Sequence, residues 1–109
     1  MRISMKWKVE LWPRALEDYF NALDYLSGFY PSTPKNFDIA FLREKKRLED
    51  NPYSWSVFYD FPAYRRAIVG KYTMLYKVDD ERHEVHIHRI LRSSWDIPKA
   101  MHTEEEGDK

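Results

Sequence analysis

The sequence predicts a two-layer α+β domain in which an antiparallel helical hairpin covers one face of a sheet. Three observations carry that prediction: apolar/polar alternation near the N-terminus, two stretches of helical period punctuated by proline and glycine, and three further alternating stretches separated by turn residues. A chain of 109 residues that is 43% hydrophobic and 17% aromatic can fill one core but is too short for two. A single domain over residues 1–101 is expected, followed by a disordered acidic tail over residues 102–109.

Taken in order, Met5, Trp7, Val9 and Leu11 alternate with Lys6, Lys8 and Glu10, which predicts a half-buried strand from Met5 to Leu11. Pro13 suits a first helical turn, and Leu16, Tyr19, Phe20, Leu23 and Leu26 recur at helical spacing as the inward stripe until Ser27-Gly28 ends the run. Thr33 followed by Pro34 offers an N-cap and a first-turn proline for a second helix. That helix turns Phe37, Phe41 and Leu48 inward and stops at Asn51-Pro52, because proline disfavours helical geometry in the residue before it. The short link between the helices implies a hairpin.

Residues 53–64 form a loop crowded with Tyr53, Trp55, Phe58, Tyr59, Phe61 and Tyr64, in which Ser56–Tyr59 is a candidate edge strand. Three strands follow, Tyr64–Val69, Tyr72–Val78 and Glu84–Leu91, parted by Gly70-Lys71 and by the turn Asp79–His83, as an antiparallel meander. With the hairpin on one face, the other face of the sheet is expected to be open.

Charge and composition exclude several classes. Eighteen basic and eighteen acidic residues balance over the whole chain, but the last eight residues hold four acids and one lysine, which leaves residues 1–101 with 17 basic and 14 acidic groups and a net charge of +3. Such mild basicity is compatible with nucleic acid without requiring it. No run approaches the roughly 20 apolar residues that a bilayer span needs, and MRISMKWKVE lacks the apolar core of a secretory signal, so a cytoplasmic protein with no membrane partner is expected. With no cysteine, disulfides, thiolate catalysis and cysteine zinc sites are excluded together. Glycine occurs only at 28, 70 and 107, too sparsely for a phosphate-cradling loop.

On the strand from Tyr72 to Val78, Tyr72, Met74, Tyr76 and Val78 share the core face and leave Thr73, Leu75 and Lys77 on the other. On the last strand Val85 and Ile87 point one way and His86, His88, Ile90 and Arg92 the other. If the pleats match, Lys77, His86, His88 and Arg92 meet on the open face. Such a set could hold a phosphodiester and move protons near neutral pH, since imidazole titrates there and arginine stabilises developing phosphate charge. An amphipathic sheet also presents a polar face to water with no function attached, and that reading weighs more heavily on pattern alone. Arg65 and Arg66 are candidates to grip phosphate or an acidic partner. The series His83, His86 and His88 has a zinc-like flavour, but no acid or cysteine stands at a spacing that completes it, so no metal or cofactor is expected.

The run AYRRAIVGKYTMLYKVDDERHEVHIHRILRSSWD resembles the C-terminal signature of the RelE/ParE toxin superfamily of bacterial type II toxin-antitoxin systems, the plasmid stabilization proteins. There a YR-basic strand, a Y-x-x-x-Y-x-V strand, an acidic turn and V-x-I-x-R-I-L lead into an Arg/Asp ending. PRALEDYFNALDYL and a second helix ending LEDNPYS are similar to the family's front half, so the likeness spans Lys6 to about Pro98. It implies the RelE/ParE-like fold, with the first strand beside the last, and a cognate antitoxin that wraps the toxin. It also implies one of two targets: the ribosome, where mRNA is cut, or DNA gyrase, which is inhibited without any nuclease step. A member that only binds its antitoxin is a third reading.

The positions that match the family are Arg65, Tyr72, Tyr76, Arg89 and Asp96. Thr73 stands where ribosome-dependent members carry arginine, Arg92 where many carry His or Tyr, and Ser93-Ser94-Trp95 where a Gly-Arg-Arg ending is frequent. For the enzyme reading, His86, His88 and Arg92 form the candidate catalytic set of a metal-independent mRNA endonuclease, with a histidine activating the ribose 2′-OH. Arg65, Arg66, Lys77, Arg89 and Trp95 are the candidate nucleic-acid or target contacts.

Overall fold

In a computed structural model of the chain, which describes residues 5–101, the elements run β1 (Lys8–Leu11), α1 (Pro13–Leu26), α2 (Ser32–Asp50), β2 (Arg65–Val69), β3 (Tyr72–Asp79) and β4 (Glu84–Arg92). The strands lie in the order β1-β4-β3-β2. β2, β3 and β4 are antiparallel neighbours, as the meander predicts, whereas β1 joins β4 in parallel. A parallel neighbour requires a crossover, and the two helices supply it. The expected acidic tail at 102–109 lies outside the described residues.

β1 is shorter than its alternation predicts. The Trp7 amide leaves the ladder to bond the Glu49 carbonyl at 2.9 Å, and the Trp7 ring stacks on His83 at 3.8 Å, so the chain before Lys8 is held against the end of α2 rather than in the sheet. Helix α1 begins at Pro13 as expected. Helix α2 begins earlier than expected, at Ser32 with Pro31 as N-cap, because the Thr33 amide already bonds the Tyr30 carbonyl, and Thr33 therefore lies inside the helix instead of capping it. The candidate edge strand in the aromatic loop reduces to a single bridge between Val57 and Arg65.

The main core lies between the hairpin and the sheet. Phe37, Phe41 and Leu48 of α2 meet Met74 and Tyr76 of β3 and Val85, Ile87 and Ile90 of β4. Helix α1 reaches this core chiefly through two alanines, Ala15 and Ala22, with Tyr19, Leu23 and Leu26 partly buried beside them. Leu16 and Phe20, expected to point inward, are instead 45% and 58% exposed. Small side chains at the contact let the α1 backbone come close to β4, and the large neighbours on either side are left at the rim.

The far face of the sheet is not open as expected. Phe58 and Tyr64 from the aromatic loop, with Ile97 and Met101 from the C-terminal segment, close over Leu75 and Leu91 in a second core. Asp96 starts that segment's helical turn by accepting the Lys99 amide at 3.1 Å. Thr73 is buried on this face and shares a 2.8 Å hydrogen bond with Ser93, so the side chain is packed inside rather than offered to a ligand.

Candidate functional site

A bulge in β4 decides where the candidate residues go. The β3–β4 register runs Lys77↔His86 and Tyr76↔Ile87, then resumes at Leu75↔Arg89, so β4 carries one extra residue, His88. An inserted residue reverses the inside/outside alternation beyond it. Ile90, expected beside the histidines, is accordingly in the core under the hairpin, and Leu91 is in the core on the far face.

Arg92 is carried across by the same step. Its register partner is Tyr72, and its guanidinium lies 4.5 Å from the Tyr25 ring centroid of α1, on the hairpin side. His88 instead contacts Trp12 at 4.2 Å and Tyr64 at 5.2 Å on the far side, where Lys77 also lies over the Tyr64 ring at 4.7 Å. Lys77, His86 and His88 thus share a face as expected, and Arg92 does not join them.

Within the histidine face, His86 Nε2 is 2.8 Å from Glu84 Oε1, and Trp12 packs against the imidazole at 4.9 Å. Trp12, the residue before α1, roofs both histidines and is fixed there by its amide bond to the Ile87 carbonyl at 2.9 Å. His88 and its neighbours are therefore held by aromatic packing.

On the hairpin side, Tyr25, Tyr72, Arg92 and Trp95 line a cleft with Asp18 and Asn21. Arg92 also borders an adjoining groove of about 530 Å³, formed by Leu26, Phe29, Tyr30 and Phe37 with Lys71 at its rim. Burial pushes the Tyr72 phenol above its ordinary range, against the pull of the nearby Arg92 cation. Trp95 is 55% exposed. Tyr25 was the signal to notice in the sequence, because it is an aromatic standing off the stripe that buries α1.

The remaining candidates have mainly internal partners. Arg65 donates to the Trp55 carbonyl at 2.6 Å and stacks over Tyr53 at 4.9 Å. Arg66 is exposed and lies over Phe58 at 5.3 Å. Arg89 is buried, bonded to Asp18 of α1. The Tyr76 hydroxyl donates to the Pro52 carbonyl at 2.6 Å inside the core, and burial holds its proton well above the usual phenol range.

Comparison with known proteins places this geometry in a family. Residues 9–97 match the family model for the ParE toxin of the type II toxin-antitoxin system parDE. No curated protein sequence matches the chain significantly. Among solved structures, the chromosomal ParDE system of P. aeruginosa superposes with a TM-score of 0.67 at 16% identity, over 82% of this chain and 98% of that one. The RelBE2 toxin-antitoxin complex of Mycobacterium tuberculosis gives 0.60 at 18% identity, over 83% and 94%. The archaeal RelE-RelB complex of Pyrococcus horikoshii gives 0.58 at 20% identity, over 83% and 98%. These similarities establish the α+β fold of the RelE/ParE toxins, and with a model matched along almost the whole described chain, this protein belongs to the ParE toxin family of type II toxin-antitoxin systems.

Proposed function

We propose that the protein arrests growth by occupying DNA gyrase, without cutting RNA, and that a cognate antitoxin neutralises it. The observation that carries this reading is the separation of Arg92 from the histidines by the β4 bulge. Cleavage by 2′-OH attack needs a base and a cation gathered around one phosphate. Here the imidazoles lie on one face of the sheet and the arginine on the other, with His86 engaged by Glu84. What the hairpin side offers instead is a cleft of Tyr25, Arg92 and Trp95. Tyrosine, arginine and tryptophan are the side chains that dominate protein–protein binding energy.

A partner for the hairpin is supported by its exposed apolar residues. Leu16 and Phe20 lie one turn apart on α1, and Tyr25, Phe29 and Tyr30 continue the exposed run into the loop that follows. Large exposed apolar patches mark interaction surfaces. A cognate antitoxin, encoded next to the toxin, would cover them with an amphipathic segment.

The test is a supercoiling assay with purified gyrase. Inhibition that weakens tenfold or more in Arg92→Ala and Trp95→Ala supports the reading, whereas full gyrase activity at saturating wild-type protein overturns it. The nuclease reading keeps one observation in its favour, the placing of Lys77 directly across from His86 and on the same face as His88. Its signature would be discrete transcript cleavage that depends on His88.

A further inference from the structure

Three side chains with metal-binding atoms meet where β1 joins β4, on residues that gyrase binding does not use. The parallel register sets Lys8 opposite Glu84 and Glu10 opposite His86. Glu84 and His86 are two residues apart on one strand and so share a face. Ligand atoms of Glu10, Glu84 and His86 all lie within 4.8 Å of one another. Around a zinc ion bonded at about 2.0–2.2 Å, neighbouring donor atoms stand roughly 3.4 Å apart, so small rotations of the two glutamates would close the set. His86 and Glu84 already meet at 2.8 Å.

The surroundings suit a cation. Trp12 packs on the imidazole at 4.9 Å and fixes its plane. Lys8 lies 2.9 Å from Glu10 at the rim of the set. The three side chains are only partly buried, at 37%, 21% and 14% exposure for Glu10, Glu84 and His86, which leaves room for a water as fourth ligand. His83 does not contribute, because its ring stacks on Trp7 and its Nε2 lies 3.2 Å from the Met5 carbonyl. In the sequence the histidines had no acid to complete them; the β1–β4 register brings one from the neighbouring strand.

We propose that Glu10, Glu84 and His86 bind one divalent zinc ion, with water completing a four-coordinate site, and thereby fasten β1 to β4. One imidazole nitrogen with two carboxylates favours zinc over magnesium, which prefers an all-oxygen octahedral shell. Bound zinc adds stability to the folded chain, since the unfolded chain does not assemble the three ligands.

The experiment is calorimetric titration of the metal-free full chain with zinc chloride, and with magnesium chloride alongside. Thermal unfolding and circular dichroism are recorded for every variant. Expected are one equivalent of zinc, a raised melting temperature, and a loss of affinity of tenfold or more in both His86→Ala and Glu10→Gln. His83→Ala should bind as wild type does. Glu10 lies at the sheet edge, so Glu10→Gln decides the matter even if His86→Ala does not fold. Absence of zinc heat at saturation, binding that survives Glu10→Gln, or an equal response to magnesium would each overturn the site.

Discussion

Asp18 of α1 and Arg89 of β4 form a partly buried two-pronged ion pair, with Arg89 Nε at 2.7 Å from one carboxylate oxygen and Nη2 at 3.1 Å from the other. The Ile90 amide donates to the same carboxylate at 2.9 Å. The pair thus anchors the backbone just beyond the bulged residue His88 and ties the bulge to the first helix. Because the bulge carries Arg92 to the hairpin face, the ion pair indirectly sets the geometry of the Tyr25–Arg92–Trp95 cleft.

Arg89→Ala should therefore cost about 1.5–3 kcal/mol, the range for hydrogen bonds to a charged group, because Asp18 borders the cleft and keeps the Ile90 amide. Urea unfolding measures it. Replacing Asp18 and Arg89 together with apolar residues should cost less than the sum of the single changes, because no lone charge remains. A fully additive double mutant would show that the pair does not act as a unit.

Tyr76→Phe should destabilise by about 1–2 kcal/mol, since it leaves the buried Pro52 carbonyl without the hydroxyl that now satisfies it. The same denaturant experiment reads the effect. An unchanged midpoint would mean that water replaces the hydroxyl in the folded protein.

Stability should fall in alkali with a defined sign. Burial, followed by the hydrogen bond to Asp38, pushes the Tyr19 phenol from 10.0 up to about 12. Between those values the unfolded chain has released the proton and the folded chain retains it, so stability is full below pH 10 and is lost as pH rises toward about 12. Burial shifts Tyr76 in the same direction and adds to the loss. Unfolding free energies measured across this window should decline, and Tyr19→Phe should make the decline shallower. An equal slope in the variant would remove Tyr19 from the explanation.

The elements were legible in the sequence because each rests on a local signal: Pro13 for the start of α1, Asn51-Pro52 for the end of α2, and Gly70, at φ 59°, for the β2–β3 turn. The site was less legible because it depends on a non-local event. Simple alternation places Arg92 beside His86 and His88, and nothing in RILR announces that β4 takes up an extra residue opposite Leu75 and Tyr76. Asp18 likewise finds its partners, Arg89 and the Ile90 amide, only across the fold on β4. Glu44 sits among the basic residues of α2 in sequence, yet it is buried and accepts the Trp55 indole hydrogen at 2.6 Å. Leu16 and Phe20 fit a helical stripe, but a stripe does not say whether the sheet or a partner will cover it.

The cognate antitoxin has a simple genetic correlate. A reading frame for a small acidic protein, with a DNA-binding front and a helix-forming tail, should adjoin this one, and the two products should co-purify. Phe20→Asp and Tyr30→Asp should weaken the complex tenfold or more while leaving the toxin folded. Undiminished binding would move the antitoxin to another surface.

Mapping transcript 5′ ends after induction of the wild-type chain without antitoxin tests most directly whether this toxin arrests growth without cutting RNA. Growth arrest with no new transcript ends, accompanied by relaxed DNA, is the predicted result. Discrete new ends that vanish in His88→Ala would contradict it.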